Sequence, residues 1–217
     1  MSHAIPNGSD FWSFLHAIDR DLAEQTRMEK CPCGGVLHSA NYPRSPRGLG
    51  DAPPLEMNRR FSFCCDRDGC RKRATPPSVR FLGRRVYVSV MVVLVAAMQQ
   101  GPTARRRKEL AKHFGVDRRT LARWQVFWRE HFPQSPFWKV ARARLAPVFE
   151  MVEYPRSIVA AFVHSVNPMM EWKNLLKFLS PISTPKGYAS TINGGFHNVE
   201  FSRRGCPPDH ATRHRFA

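Results

Sequence analysis

Apolar residues recur at Phe11, Phe14, Leu15, Ile18 and Leu22, the period of a helix with one buried face. This predicts a helix over 9–28, capped by Ser9 or Asp10. Past residue 28 the period vanishes. Residues 29–83 alternate short apolar pieces, at 36–42, 60–64 and 79–82, with Pro, Gly and Arg. These pieces predict brief strands, and PRSPRGLGDAPP between them predicts a mobile loop. From residue 84 the chain turns helical again. Residues 86–100 are apolar nearly all round, as in a central helix, and Gly101-Pro102 ends it. Two amphipathic stretches follow, 103–114 and 117–132, with Gly115 between them. Ser135-Pro136 and Asn167-Pro168 each place a capping side chain before a first-turn proline. They predict helices to about 149 and up to Pro181, with a break at Tyr154-Pro155 and a short helix after it. Residues 183–217 show no period and are expected to be mostly disordered. The organisation that follows is an N-terminal helix (1–28), a small β-containing segment (29–83), a helical domain (84–132), a helical extension (133–182) and a tail (183–217). The fold class is mainly α with a small short-stranded subdomain.

The two stretches of 84–132 read RKELAKHFGVDRRTLARWQVFW. Ala111 is a small residue where a second helix would cross the first, and Gly115 lies four residues on, where the chain must turn. Leu110, Phe114, Val116, Leu121 and Trp124 stand where apolar side chains would close the interface. That pattern predicts a helix-turn-helix over 103–131. A plain helical hairpin with a charged face is the simpler alternative, but it needs neither the small residue and glycine in this register nor arginines at the start of its second helix. Asp117 is placed to cap that second helix. Its open face offers Arg118, Arg119, Thr120, Arg123 and Gln125 to base edges in a major groove. Arg105, Arg106, Arg107 and Lys108 lead the first helix and suit phosphates. Trp124, Phe127 and Trp128 follow the buried face.

Of the six cysteines, Cys31, Cys33, Cys64, Cys65 and Cys70 fall within 29–83. That segment has too few apolar residues for a core of its own, and a metal would supply the missing stability. Four thiolates in a tetrahedron suit zinc. Cys31, Cys33, Cys65 and Cys70 form the favoured set, with Cys64 or His38 as alternates. The motif CPCGG leaves one residue, Pro32, between its cysteines where a knuckle usually has two. Gly34-Gly35 and Gly69 would let the backbone turn around the ion. A closed set of four sulfurs leaves no position for water, so such a zinc would be structural. Arg59, Arg60, Arg67, Arg71, Lys72, Arg73 and Arg80 surround the cysteines, and Arg84 and Arg85 extend the run; the expectation is a basic rim that meets nucleic acid. Cys206, in the tail, is expected to bind nothing.

Charge sharpens the same expectation. The chain carries 34 Lys+Arg against 17 Asp+Glu, a net charge of +17, and a polyanion is the natural partner of such an excess. No signal peptide is visible, and the apolar run 86–98 is short of the roughly 20 residues a membrane span needs. The expected location is the cytoplasm, associated with the nucleoid, with thiols kept reduced.

The segments CPCGG, FCCDRDGCRKRATPPS and ELAKHFGVDRRTLARW together resemble the zinc-ribbon plus helix-turn-helix regions of bacterial insertion-sequence transposases and their small accessory proteins. The resemblance covers about residues 28–145. It implies binding to the ends of a mobile element beside a separately encoded transposase. The catalytic core of such enzymes needs carboxylates on a mixed sheet to hold two metal ions. Here Glu130, Glu150, Glu153, Glu171, Glu200 and Asp209 fall in helices or the tail, so no enzymatic activity is expected. A stand-alone transcription regulator is the alternative. A metal-dependent enzyme on nucleic acid is the remoter one.

Overall fold

A computed structural model describes residues 9–46, 53–81, 117–145, 154–163, 167–184 and 200–202. The stretches 86–100 and 103–116, with Ala111 and Gly115, lie outside these residues, as does the loop at 47–52.

The first helix, α1, runs Ser9–Met28, as its period predicts. Phe11, Trp12, Leu15, Ile18 and Leu22 are buried, and Phe14 packs at the edge of the same cluster. Short strands follow: β1 Leu37–Ser39, β2 Tyr42–Pro43, β3 Arg59–Arg60, β4 Phe63–Cys65 and β5 Arg73–Thr75. β2 pairs with β3. β1, β4 and β5 join a sixth strand, β6 Glu200–Ser202, in an antiparallel sheet of order β1-β4-β5-β6. Two expectations change here. Residues 79–81 form no strand; they are buried and irregular. Part of the tail, expected to be disordered, is instead a strand, with Phe201 opposite Ala74.

The helical part comprises α2 Arg118–Val126, α3 Pro136–Ala141, α4 Arg156–Phe162 and α5 Pro168–Leu179. Both cap-and-proline signals hold. Ser135 Oγ accepts from the Trp138 N–H at 3.2 Å, and Asn167 Oδ1 from the Met170 N–H at 3.3 Å. Pro181 does not end α5 outright, because a 3-10 turn, Ser180–Ser183, continues it. α2 runs into a π turn, Phe127–His131, closed by the Phe132 N–H donating to the Phe127 carbonyl at 2.8 Å. The wider turn admits Trp128 and Phe132 together to the core. Their ring centroids lie 4.5 Å apart, and Trp138 sits 4.9 Å from Phe132.

Two apolar clusters result. The large one unites α1, α2, α3, α4 and α5 with Met57 and Val79. The small one, Ala23, Cys31, Leu37, Phe63, Cys65 and Ala74, lies beneath the sheet. α1 serves both, Leu22 facing one and Ala23 the other.

A buried polar network also joins strands to helices. Asp19 is 1% exposed and Arg80 0%. Asp19 Oδ2 accepts from Arg80 Nε at 2.8 Å and from Ser78 Oγ at 2.6 Å, and Oδ1 accepts from the Val79 N–H at 2.6 Å. Arg80 Nη1 and Nη2 donate to the Met57 and Arg59 carbonyls. Arg60 is buried too and donates from Nη2 to the Pro76 carbonyl at 2.6 Å. The guanidiniums of Arg44, Arg60 and Arg80 stand 5.2 to 5.5 Å from the Phe81 ring, where the π face attracts cations. The expectation that Arg60 and Arg80 belong to a surface rim is therefore overturned: they are interior residues.

Candidate metal centre and nucleic-acid interface

The first ligand loop begins where α1 stops. Lys30 adopts φ +60° and Gly34 φ +84°. The Gly34 N–H donates to the Cys31 carbonyl at 2.7 Å, and the Cys31 N–H to the Gly35 carbonyl at 3.1 Å. This tight double-bonded turn brings Cys31 and Cys33 to one side across Pro32. The second loop leaves β4 at Cys65, whose N–H donates to the Lys72 carbonyl at 3.0 Å. It returns through Gly69, at φ +79°, and the Cys70 N–H donates to the Arg67 carbonyl at 3.1 Å. β1 and β4 place the loops side by side, with Leu37 opposite Cys65.

The Sγ atoms of Cys31, Cys33, Cys65 and Cys70 all lie within 4.8 Å of one another. Cys31 and Cys70 are 3.7 Å apart, and Cys33 and Cys65 3.5 Å. A tetrahedron with metal–sulfur bonds of about 2.3 Å has edges of about 3.8 Å. These four sulfurs can hold a metal ion. The electrostatics agree. Burial pushes the Cys65 thiol up to about 12 and raises Cys31 as well, while the Gly35 backbone N–H draws Cys33 down to about 6. Four adjacent thiolates repel one another, and a divalent cation relieves that repulsion.

Neither alternate ligand joins the set. His38 is largely exposed, with Nε2 3.6 Å from Asp66 Oδ2. Cys64 is disulfide-bonded, whereas the four clustered thiols are free. That disulfide departs from the expectation that every cysteine is reduced. Strand alternation separates the neighbours: Cys65 turns into the small core, and Cys64 does not.

Three residues support the site in ways that the sequence pattern does not show. Asp66 Oδ1 accepts from the Val36 N–H at 2.8 Å, and the Asp66 N–H returns a bond to the Val36 carbonyl at 3.0 Å. The Arg67 guanidinium donates to the Cys33 carbonyl. Gly35, expected as a turn residue, matters for space instead: a Cβ there would stand 2.5 Å from Cys65 Sγ and 2.9 Å from Asp66 Oδ1. Nothing in the sequence pattern separates Gly35 from Gly34, because both follow Cys33. Gly35→Ala is expected to weaken metal binding by roughly 10–100-fold, the range for disturbing a residue that supports ligands. Competition against a chromophoric chelator measures it, and unchanged affinity would mean the loop relaxes around the methyl.

The second candidate surface is α2. Asp117 Oδ1 accepts from the Thr120 N–H at 2.9 Å, so the capping role holds. Arg119 and Arg123 are exposed and Gln125 is half-buried. Thr120, expected on the open face, is buried at 5% exposure and paired with Asp117. The reason is the cap itself, which turns the first helical turn inward over Asp117. Arg118 is in the helix. Trp124 and Trp128 are core residues, as their spacing predicts. On the strands, Arg71 is half-buried. Arg73 reaches inward, Nη1 donating to the Ala40 carbonyl at 2.9 Å and to Ser62 Oγ at 2.8 Å. Arg73 is half-buried, and these bonds tie it to the framework around β1 and β4. Arg84, Arg85, Arg105, Arg106, Arg107 and Lys108 lie outside the described residues.

The Thr120 N–H holds the Asp117 carboxyl below the ordinary carboxylate range. A folded-state value below the unfolded one contributes stability that is full above the unfolded value and lost as pH falls through the folded one. Asp117→Asn keeps a capping oxygen without a charge. The stability difference between the natural protein and this variant should therefore shrink as pH drops below the carboxylate range. Parallel denaturation series at several acidic pH values read this directly, and a pH-independent difference contradicts it.

No protein-family model, curated protein or solved structure matches the chain. Among the described residues no helix is long and apolar enough to cross a membrane.

Proposed function

We propose that this chain is a sequence-specific DNA-binding protein, without enzymatic activity of its own, that holds one structural zinc ion in a ribbon and reads DNA with α2. The observation that carries the reading is a capped helix start presenting Arg119 and Arg123 to solvent, in a chain of net charge +17. Four sulfurs with no oxygen or nitrogen ligand favour zinc in a closed, structural site. Cys31, Cys33, Cys65 and Cys70 would hold it and leave no position for a reacting water. The role in transposition, beside a separately encoded transposase, rests on the sequence resemblance, and a transcription regulator would use the same surfaces.

The test is selection of bound DNA from a random pool at stated salt, followed by variants. Arg119→Ala or Arg123→Ala should cost about 1–3 kcal/mol of discrimination at one or two positions of the selected site. Equal loss on selected and random DNA would sink the base-reading role. Recovery of inverted-repeat ends would favour the mobile element over a promoter.

A further inference from the structure

We infer that the cysteine quartet is a peroxide-responsive metal site, in which oxidation pairs Cys33 with Cys65 and Cys31 with Cys70 and expels the ion. The inference rests on the proposed metal reading and adds a regulation to it.

The geometry selects these pairs. Cys33 and Cys65 approach to 3.5 Å, and Cys31 and Cys70 to 3.7 Å. Each pair joins the first ligand loop to the second. Each also combines a half-exposed sulfur, Cys33 or Cys70, with a buried one, Cys65 or Cys31. A disulfide forms in two steps, and this division suits both. The half-exposed thiolate attacks a peroxide oxygen, the O–O bond breaks, and hydroxide leaves, giving a sulfenic acid. The buried thiolate then attacks that sulfur; the S–S bond forms and a second hydroxide departs. Protons from solvent convert both hydroxides to water. Two peroxides thus take four thiolates to two disulfides and four waters, and the ion leaves with no ligands.

Closing a disulfide brings sulfurs to about 2.05 Å, so each pair must move by about 1.5 Å. The alternative pairing, Cys31 with Cys33, would close a small ring across Pro32 against the two hydrogen bonds of that turn. The chosen pairs leave the loops adjacent, so the oxidised ribbon keeps its shape while losing its ion.

The experiment uses the full-length protein loaded with zinc and titrated with hydrogen peroxide. Released zinc is followed with a chromophoric chelator, and disulfides are mapped by peptide mass spectrometry. The expected result is zinc release complete at about two peroxides per ion, with Cys33–Cys65 and Cys31–Cys70 linked peptides, and recovery of zinc binding after a dithiol. The inference is overturned by any other linkage among the four cysteines, Cys31–Cys65 with Cys33–Cys70 included, by sulfinic or sulfonic acids in place of disulfides, or by zinc retained with intact thiols. Failure of the reduced protein to bind zinc would instead refute the metal reading. In that event the map of the metal-free protein still decides the pairing.

Discussion

Asp19→Asn is expected to cost about 3–5 kcal/mol of folding free energy, because it leaves the Arg80 charge in the interior without its partner. The Asp19 carboxylate accepts three hydrogen bonds from Ser78, Val79 and Arg80 in a site closed to water. Asn retains one acceptor and no charge. Arg80 cannot shed its proton to compensate, and its other nitrogens are committed to the Met57 and Arg59 carbonyls. Urea denaturation should show a lower midpoint with an unchanged slope. The double variant Asp19→Leu/Arg80→Met should be less destabilised than Asp19→Asn, since it removes both charges together. A loss below about 1 kcal/mol for Asp19→Asn, the range of an exposed pair, would mean that water reaches the site.

If the four sulfurs hold a metal ion, Cys65→Ser should abolish its stoichiometric binding and unfold the sheet of β1, β4 and β5. Cys65 offers both a ligand sulfur and buried area: it is 0% exposed and packs with Ala23, Leu37, Phe63 and Ala74. That cluster is too small to hold residues 31–75 together alone. Serine's hydroxyl is a poor substitute for a thiolate as a metal ligand and would itself be buried. The affinity loss should exceed the roughly 10–100-fold cost of disturbing a supporting residue. Metal content after dialysis and amide exchange in β1, β4 and β5 measure the two effects. Retained exchange protection in the metal-free variant would show that the sheet stands without the ion, and the stabilising role of the metal would then be wrong.

The sequence made some of this plain and hid the rest for physical reasons. α1 was legible because five apolar residues keep one period for more than three turns. The ligand quartet was legible because five cysteines crowd a segment with little else to bury. The choice between Cys64 and Cys65 was not, since neighbours on a strand differ only in which face is inward, and a three-residue strand leaves too little pattern to fix it. The interior arginines were invisible for a different reason. Arginine counts as surface unless its acceptors are known, and those of Arg80 include a carboxylate 61 residues earlier in the chain. β6 was equally hidden, because Glu200–Ser202 owes its structure to the edge of β5 and to nothing in its own composition. On α2, Arg119 and Arg123 are exposed, whereas Thr120, whose N–H donates the cap bond to Asp117, is buried, which its spacing alone does not show.

The placement of α1 governs how the protein must be made. Its buried face needs α5, and its Asp21 pairs with Lys177, 156 residues later. Asp19 waits on Ser78 and Arg80, and the Ser78 N–H in turn donates to Ser183 Oγ at 2.8 Å. Synthesis therefore delivers this amphipathic helix well before α5 and Ser183. Until those later residues are made, the cluster that buries Phe11, Trp12, Leu15 and Ile18 is incomplete. Contacts of such long sequence separation slow folding and prolong exposure of apolar surface to aggregation.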